Sequence, residues 1–219
     1  MSLNSVSLES VNMSESQRFE QKRKTRERLI EVALPLLAQD GLMAARTGDI
    51  ATAAGVSHGT VFLHFPTRND LLIAVIEQFG ERLTRRLHEL NRGGLGMPEV
   101  LQAHLQGLAE FENFYTRMVI EGPLLPVEAQ QTLLMVQSAI SFHLIQAAEN
   151  QMATGEIRPV PVHLLFNTWI GLIHHYLVNR QWFAPEGKVL ERYGPELTAH
   201  FLNLITVART EAERRDNPQ

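Results

Sequence analysis

Apolar positions recur at three- and four-residue spacing along most of the chain, and no segment sustains the alternation of a strand. This pattern predicts an all-α protein. A first helix is expected from about residue 18 or 24 to residue 39, with Ile30, Ala33, Leu34 and Leu37 as its apolar stripe and Gly41 as its stop. Pro35 falls inside it, lacks the N–H that would bond to Glu31, and predicts a kink or a loosened turn. Two short helical patterns follow on either side of Gly55, and Thr67-Arg68-Asn69-Asp70 reads as a capping box opening a long helix. That helix carries Leu71, Leu72, Val75, Ile76, Phe79, Leu83 and Leu87 on one side and ends in the glycine-rich residues 93–96.

The remainder has the pattern of a helical body. Apolar residues repeat from residue 97 to about 121, and Gly122-Pro123 breaks the run. Pro126 opens a helix to about residue 152, and Pro161 one ending near residue 178 or 182. Gly194-Pro195 is expected to open the last helix, ending near residue 212. The resulting division is a tail at 1–17, a small helical domain at 18–68, a helical body at 69–212 and a frayed end at 213–219.

The most informative segment, residues 47–65, reads TGDIATAAGVSHGTVFLHF. Thr47 is a candidate N-cap with Asp49 in the favourable first turn, Gly55 permits a left-handed turn, and Ser57 can cap a helix over residues 58–64. Its first turn is polar and small, whereas Val56, Val61 and Phe62 suit a core, as does Phe65. A short helix whose first turn faces outward while its far end packs inward has the character of a helix-turn-helix head for DNA. Ser and Thr hydroxyls and helix N-terminal amides grip phosphate oxygens. His58 can donate to or accept from a base edge, Gly59 permits close approach, and the Thr60 methyl can meet a thymine. Arg46 and Arg68 bracket the unit electrostatically.

Charge changes this picture by its distribution. The net charge of -4 disfavours a polyanion partner, yet residues 16–92 hold 12 Arg or Lys against 9 Asp or Glu. Residues 93–219 hold 8 against 13. The excess is concentrated at Arg18, Lys22, Arg23, Lys24, Arg26 and Arg28, a basic end on an acidic chain. With no cysteine, disulfides and thiolate metal sites are excluded, which fits a cytoplasmic setting. No stretch reaches the roughly 18 apolar residues of a membrane span, so no membrane partner is expected. Nucleophile elbow, phosphate loop and metalloprotease signatures are all missing, and an enzyme is not expected.

The block from residue 25 to about 72 resembles the DNA-binding domain of TetR-type (TetR/AcrR) transcriptional regulators. The resemblance rests on TRERLIEVA at residues 25–33, on Gly41, on the 47–65 segment and on Asp70-Leu71-Leu72. It implies a homodimer that binds a palindromic double-stranded DNA operator and is released by a small-molecule effector. Residues 57–64 would then be the recognition helix, with Thr47, Ser57, Thr60, His64 and Arg68 where the family contacts phosphates. The family usually has tyrosine at the positions of Phe62 and His64; Phe62 keeps the ring without its hydroxyl, and His64 keeps a donor with a different reach. The body would be the effector-binding and dimerisation domain, paired through its last two long helices.

No residue of the body identifies an effector. The six histidines beyond residue 100 show no i, i+4 pair, and His174 and His175 point about 100° apart on one helix, so no metal site and no cofactor are expected. An apolar cavity between residues 101–118, 136–147 and 166–174 is the expectation, lined by some of His104, Leu108, Phe111, Met118, His143, Trp169 and His174, for a largely apolar small molecule. Residues 162–178 are apolar nearly all round and need cover on more than one side. With Leu197, Phe201, Leu204, Ile205 and Ala208 of the last helix they are the candidate dimer surface. The competing reading keeps the DNA-binding head but has the body recruit a protein partner; it requires a filled body and an exposed apolar patch.

Overall fold

A computed structural model describes residues 5–90 and 96–207, with side chains from residue 16 to 88 and from 96 onward. It is all-α. The chain divides into two compact units between Gln78 and Phe79.

The first unit holds α1 (Ser5–Asp40), α2 (Thr47–Ala54), α3 (His58–His64) and the start of α4 (Arg68–Leu90). α1 begins well ahead of the expected start, and residues 5–17, expected as a tail, are helical. Pro35 lies inside α1 on its exposed side. Leu29, Ile30, Ala33 and Leu37 of α1 are buried, as are Leu42, Ala45, Ile50, Ala51, Ala54, Val61, Phe65, Leu71, Leu72, Val75 and Ile76, and these residues make up a small apolar core. Apolar burial of this kind, at about 25 cal/mol per Å², is the main stabilising term.

The second unit continues α4 and adds α5 (Met97–Glu110), α6 (Glu112–Glu121), a 3-10 turn at Gly122–Leu124, α7 (Val127–Ala153), α8 (Val162–Val178), α9 (Arg180–Phe183) and α10 (Val189–Ile205). The run expected to be one helix from 97 to 121 is broken at Phe111, whose φ of -119° and ψ of 27° leave the helical region. α10 starts at Val189, and Pro195 lies inside it rather than opening it. The reason is tertiary: the buried Glu112 carboxylate accepts from the Val189 and Leu190 amides at 2.8 and 2.9 Å, capping the helix before the proline. Glu112→Ala is expected to cost about 2–4 kcal/mol by orphaning those two donors, and Glu112→Gln less, since one oxygen remains; urea unfolding midpoints measure both. Residues 91–95, with most of the expected glycine-rich stop, and residues 208–219, with Ala208 and the frayed end, lie outside the described residues, as do residues 1–4 of the expected tail. No described helix is long and apolar enough to cross a membrane.

Candidate nucleic-acid interface and body cavity

The turn between α2 and α3 is built by Gly55, whose φ of 64° and ψ of 37° are left-handed. Its amide donates to the Thr52 carbonyl and that of Val56 to the Ala51 carbonyl, both at 3.0 Å, closing α2. Ser57 then caps α3: its Oγ accepts from the Thr60 amide at 3.1 Å and lies 2.8 Å from Thr60 Oγ1. The capping box before α4 is reciprocal, with the Thr67 amide donating to Asp70 Oδ2 at 2.8 Å and the Asp70 amide to Thr67 Oγ1 at 3.1 Å.

Thr47 is the first residue of α2 and not its cap. Arg46 holds that place, with extended backbone and no side-chain bond to the helix. The Thr47 hydroxyl instead meets His58 Nε2 at 2.9 Å, tying the first turns of α2 and α3 together. His58 also stands edge-on to Phe62, with ring centroids 5.0 Å apart. Phe62, expected in the core, is 40% exposed, and Leu63 is exposed too. Val61 and Phe65 supply the inward anchor, which leaves His58, Gly59, Phe62 and Leu63 on the outer side of α3.

Two further residues differ in setting from a free phosphate ligand. Arg68 is half-buried, and its guanidinium donates to the carbonyls of Leu42 and Ala45, Nε reaching the latter at 3.1 Å. It thereby holds the segment leading to Arg46 and Thr47. His64 is half-buried, with Nδ1 lacking a partner among the described residues. Burial, and then the charges of Lys22 and Arg26, hold its pKa below the usual histidine value. Along α1, Arg18, Lys22, Arg26 and Arg28 are exposed, and Arg26 lies over the Phe65 ring at 5.1 Å. Arg23 is flanked by Glu20 and Glu27.

In the second unit a partly open cavity of about 290 Å³ lies among α4, α6, α7 and α8. Phe79, Met118, Leu133, Val136 and Ile140 supply apolar walls, and Tyr115 and His174 a polar pair whose Oη and Nε2 are 2.8 Å apart. Phe79 stacks on Tyr115 with centroids 6.0 Å apart. Burial pushes the Tyr115 hydroxyl pKa up and that of His174 down to about 4. A larger groove of about 670 Å³ between α5 and α10 includes Glu110, Lys188 and Glu191 in its lining. It is the bigger space, whereas the smaller one is lined by residues of four helices.

Residues 29–75 match the family model of bacterial regulatory proteins of the tetR family. The HTH-type transcriptional regulator CymR of Pseudomonas putida is 36% identical over 101 residues, which are 45% of this chain and 50% of CymR. The chain spans about half the length, or less, of the curated relatives it matches. Among solved structures, a TetR-family transcriptional regulator from Agrobacterium tumefaciens superposes with a TM-score of 0.71 at 18% identity, over 85% of this chain and 100% of that one. The regulator FadR of Bacillus subtilis, in complex with stearoyl-CoA, superposes with a TM-score of 0.69 at 19% identity, over 80% and 97%. Residues 29–75 therefore carry the tetR-family domain, and the body shares the fold of these solved regulators.

The head and the body differ in how the expected residues are placed. In the head, Arg46, Thr47, Ser57, His58, Gly59, Thr60, His64 and Arg68 cluster around α2, α3 and the start of α4. In the body, Met118 and His174 line the cavity, whereas five of the expected residues are not among its lining. Leu108 is fully buried elsewhere, and Phe111 stands edge-on to Phe79 with Arg82 over its ring at 5.6 Å. His143 lies beside His88, ring centroids 6.4 Å apart. His104 is fully buried and accepts the Trp169 indole N–H on Nδ1 at 3.0 Å, and Trp169 packs on Phe201. Sequence reasoning missed Phe79, Val119, Gln130, Leu133 and Gln137. The available signal was Gln130 and Gln137, seven apart on one face of a helix with no charged residue between Glu128 and Glu149.

Proposed function

We propose that this chain is a ligand-responsive transcriptional regulator, a repressor that binds a palindromic operator as a homodimer and is released by a small molecule. The observation that carries the reading is the α2–α3 unit, in which Gly55, the Ser57 cap and the Thr47–His58 bond present a short outward helix beside the exposed cations of α1. His58, joined by Phe62, reads bases, and Arg46, Thr47, Ser57, Thr60, His64 and Arg68 act on the backbone. Dimerisation is assigned to α8 and α10. It is supported by the exposed Leu164, Val178 and Leu204 and by the open space around Gly171, although Leu197, Phe201 and Ile205 are already buried within the chain. Cavity occupation acts on α4 through Phe79 and changes the spacing of two heads; the ligand must bind the two states with different affinity for this to work.

Selection of bound DNA from a random pool is expected to return a two-fold symmetric site, and sedimentation a dimer at micromolar concentration. On that site His58→Ala is expected to lose discrimination at one position by roughly 1–3 kcal/mol. Arg68→Ala is expected to weaken matched and mismatched sites alike, with the salt slope falling by about 1 if it contacts a phosphate directly. Equal losses on every sequence for His58→Ala would remove its readout role.

A second reading, recruitment of a protein partner by the body, is favoured by one feature. Leu134, Met135 and Phe142 of α7 are 63%, 62% and 60% exposed. Under that reading Met135→Glu abolishes regulation without changing DNA affinity, and no small molecule alters DNA affinity.

A further inference from the structure

We propose that the body cavity takes a compact, uncharged, largely apolar molecule with one hydroxyl or amide group, seated against the Tyr115–His174 pair, and that it excludes organic anions and long acyl chains. The inference rests on the ligand-responsive reading above and narrows its effector to a chemical class.

Charge is the first argument. None of the lining residues is Asp, Glu, Lys or Arg. The two helices that supply its outer and far walls are uncharged over residues 129–148 and 162–178. An anion entering this space loses its hydration and meets no counter-charge, which is unfavourable by far more than a neutral group of the same shape. His174 does not supply the charge, because burial keeps its imidazole neutral at physiological pH.

Polarity is the second. Tyr115 Oη and His174 Nε2 are already bonded to each other at 2.8 Å. With Nε2 as the acceptor, the tyrosine oxygen keeps its lone pairs for a donor on the ligand. Gln130 is less available, since its amide nitrogen donates to the carbonyls of Pro123 and Leu125 at 3.2 and 2.7 Å. The Tyr115–His174 pair, with the Gln137 amide also in the lining among Phe79, Met118, Leu133 and Ile140, suits a polar group on an apolar frame.

Size is the third. The volume of about 290 Å³ lies at the low end of the range of small-molecule sites, about 300–1,000 Å³. A stearoyl thioester, the ligand in the structurally similar FadR, exceeds it.

Calorimetry on the full chain tests the class with 4-propylphenol, its carboxylate counterpart 4-propylbenzoate and stearoyl-CoA. The phenol is expected to bind with an affinity flat from about pH 6 to 8, the benzoate about tenfold or more weaker, and stearoyl-CoA not at all. Tyr115→Phe is expected to weaken phenol binding about tenfold and to lower the thermal melt modestly, since His174 loses its partner, and Leu133→Trp to abolish binding by filling the space. Benzoate binding as tight as the phenol, binding of stearoyl-CoA, phenol binding unaffected by both variants, or no phenol binding at millimolar concentration overturns the proposal. The same probes are then added to the complex with selected DNA. Release by the benzoate or the thioester defeats the ligand class and leaves the regulator reading intact. Failure to select any DNA defeats the regulator reading, while the calorimetry still decides the class of molecule bound.

Discussion

Replacing Trp169 by alanine is expected to destabilise the body by about 3–5 kcal/mol, among the largest effects of any single substitution in this chain. The indole is fully buried and packs on Phe201 with ring centroids 5.2 Å apart, so truncation opens a hole that its neighbours fill only in part. It also donates to His104 Nδ1 at 3.0 Å, and its loss leaves a buried imidazole nitrogen without a partner. Trp169→Phe separates the two contributions. It keeps most of the ring volume and removes the donor, for an expected loss of about 1–3 kcal/mol. Urea unfolding followed by far-UV circular dichroism measures both, as a lower midpoint at unchanged slope. A loss below about 1 kcal/mol for the alanine variant would show that the indole is not a keystone of this core.

Acidification is expected to unfold the body through the imidazoles of His104 and His174. Burial, and then the nearby His174, push the His104 pKa down to about 3, and burial pushes that of His174 to about 4. In the unfolded chain both titrate near 6.5. The folded state therefore binds fewer protons than the unfolded state below that pH. The stability associated with keeping both rings neutral is fully present above about pH 6.5 and is lost as pH falls toward the folded values. Each group contributes a slope of about 1.4 kcal/mol per pH unit in that window. Stability measured from about pH 7 to pH 4.5 should fall steeply, and His174→Gln should flatten the profile by about half while tolerating the Tyr115 bond. A profile level across that window, with the wild-type chain still folded, would show that one or both rings titrate normally.

These two expectations concern residues that the pattern of the chain pointed to for another reason. His104, Trp169 and His174 stood out in sequence as polar or aromatic groups on apolar helical faces. Only His174 faces the cavity, while His104 and Trp169 satisfy one another deeper in the body. Helical periodicity tells which face a residue occupies and leaves open whether that face meets a solid neighbour or a gap. The gap arises where α6, the turn at Gly122–Leu124 and α7 fail to close on α4 and α8, a matter of long-range packing.

The turns and caps of the head were legible because their determinants are local. A glycine in a left-handed turn, a serine cap and a reciprocal Thr67–Asp70 box each act within five residues, and the sequence alone determined them. The all-α class and the break after residue 121 were likewise set by periodicity and proline. Other features needed distant partners. Thr47 left its capping role for His58, eleven residues away in sequence, and Phe62 turned outward because Val61 and Phe65 fill the inner face of a helix only seven residues long. Arg68 was drawn to the carbonyls of Leu42 and Ala45, and α10 began six residues before its proline because Glu112 caps it from another helix. A side chain's hydrogen-bonding capacity is written in the sequence, but which partner it meets depends on where the rest of the chain places unsatisfied donors and acceptors, and tertiary packing alone decides that.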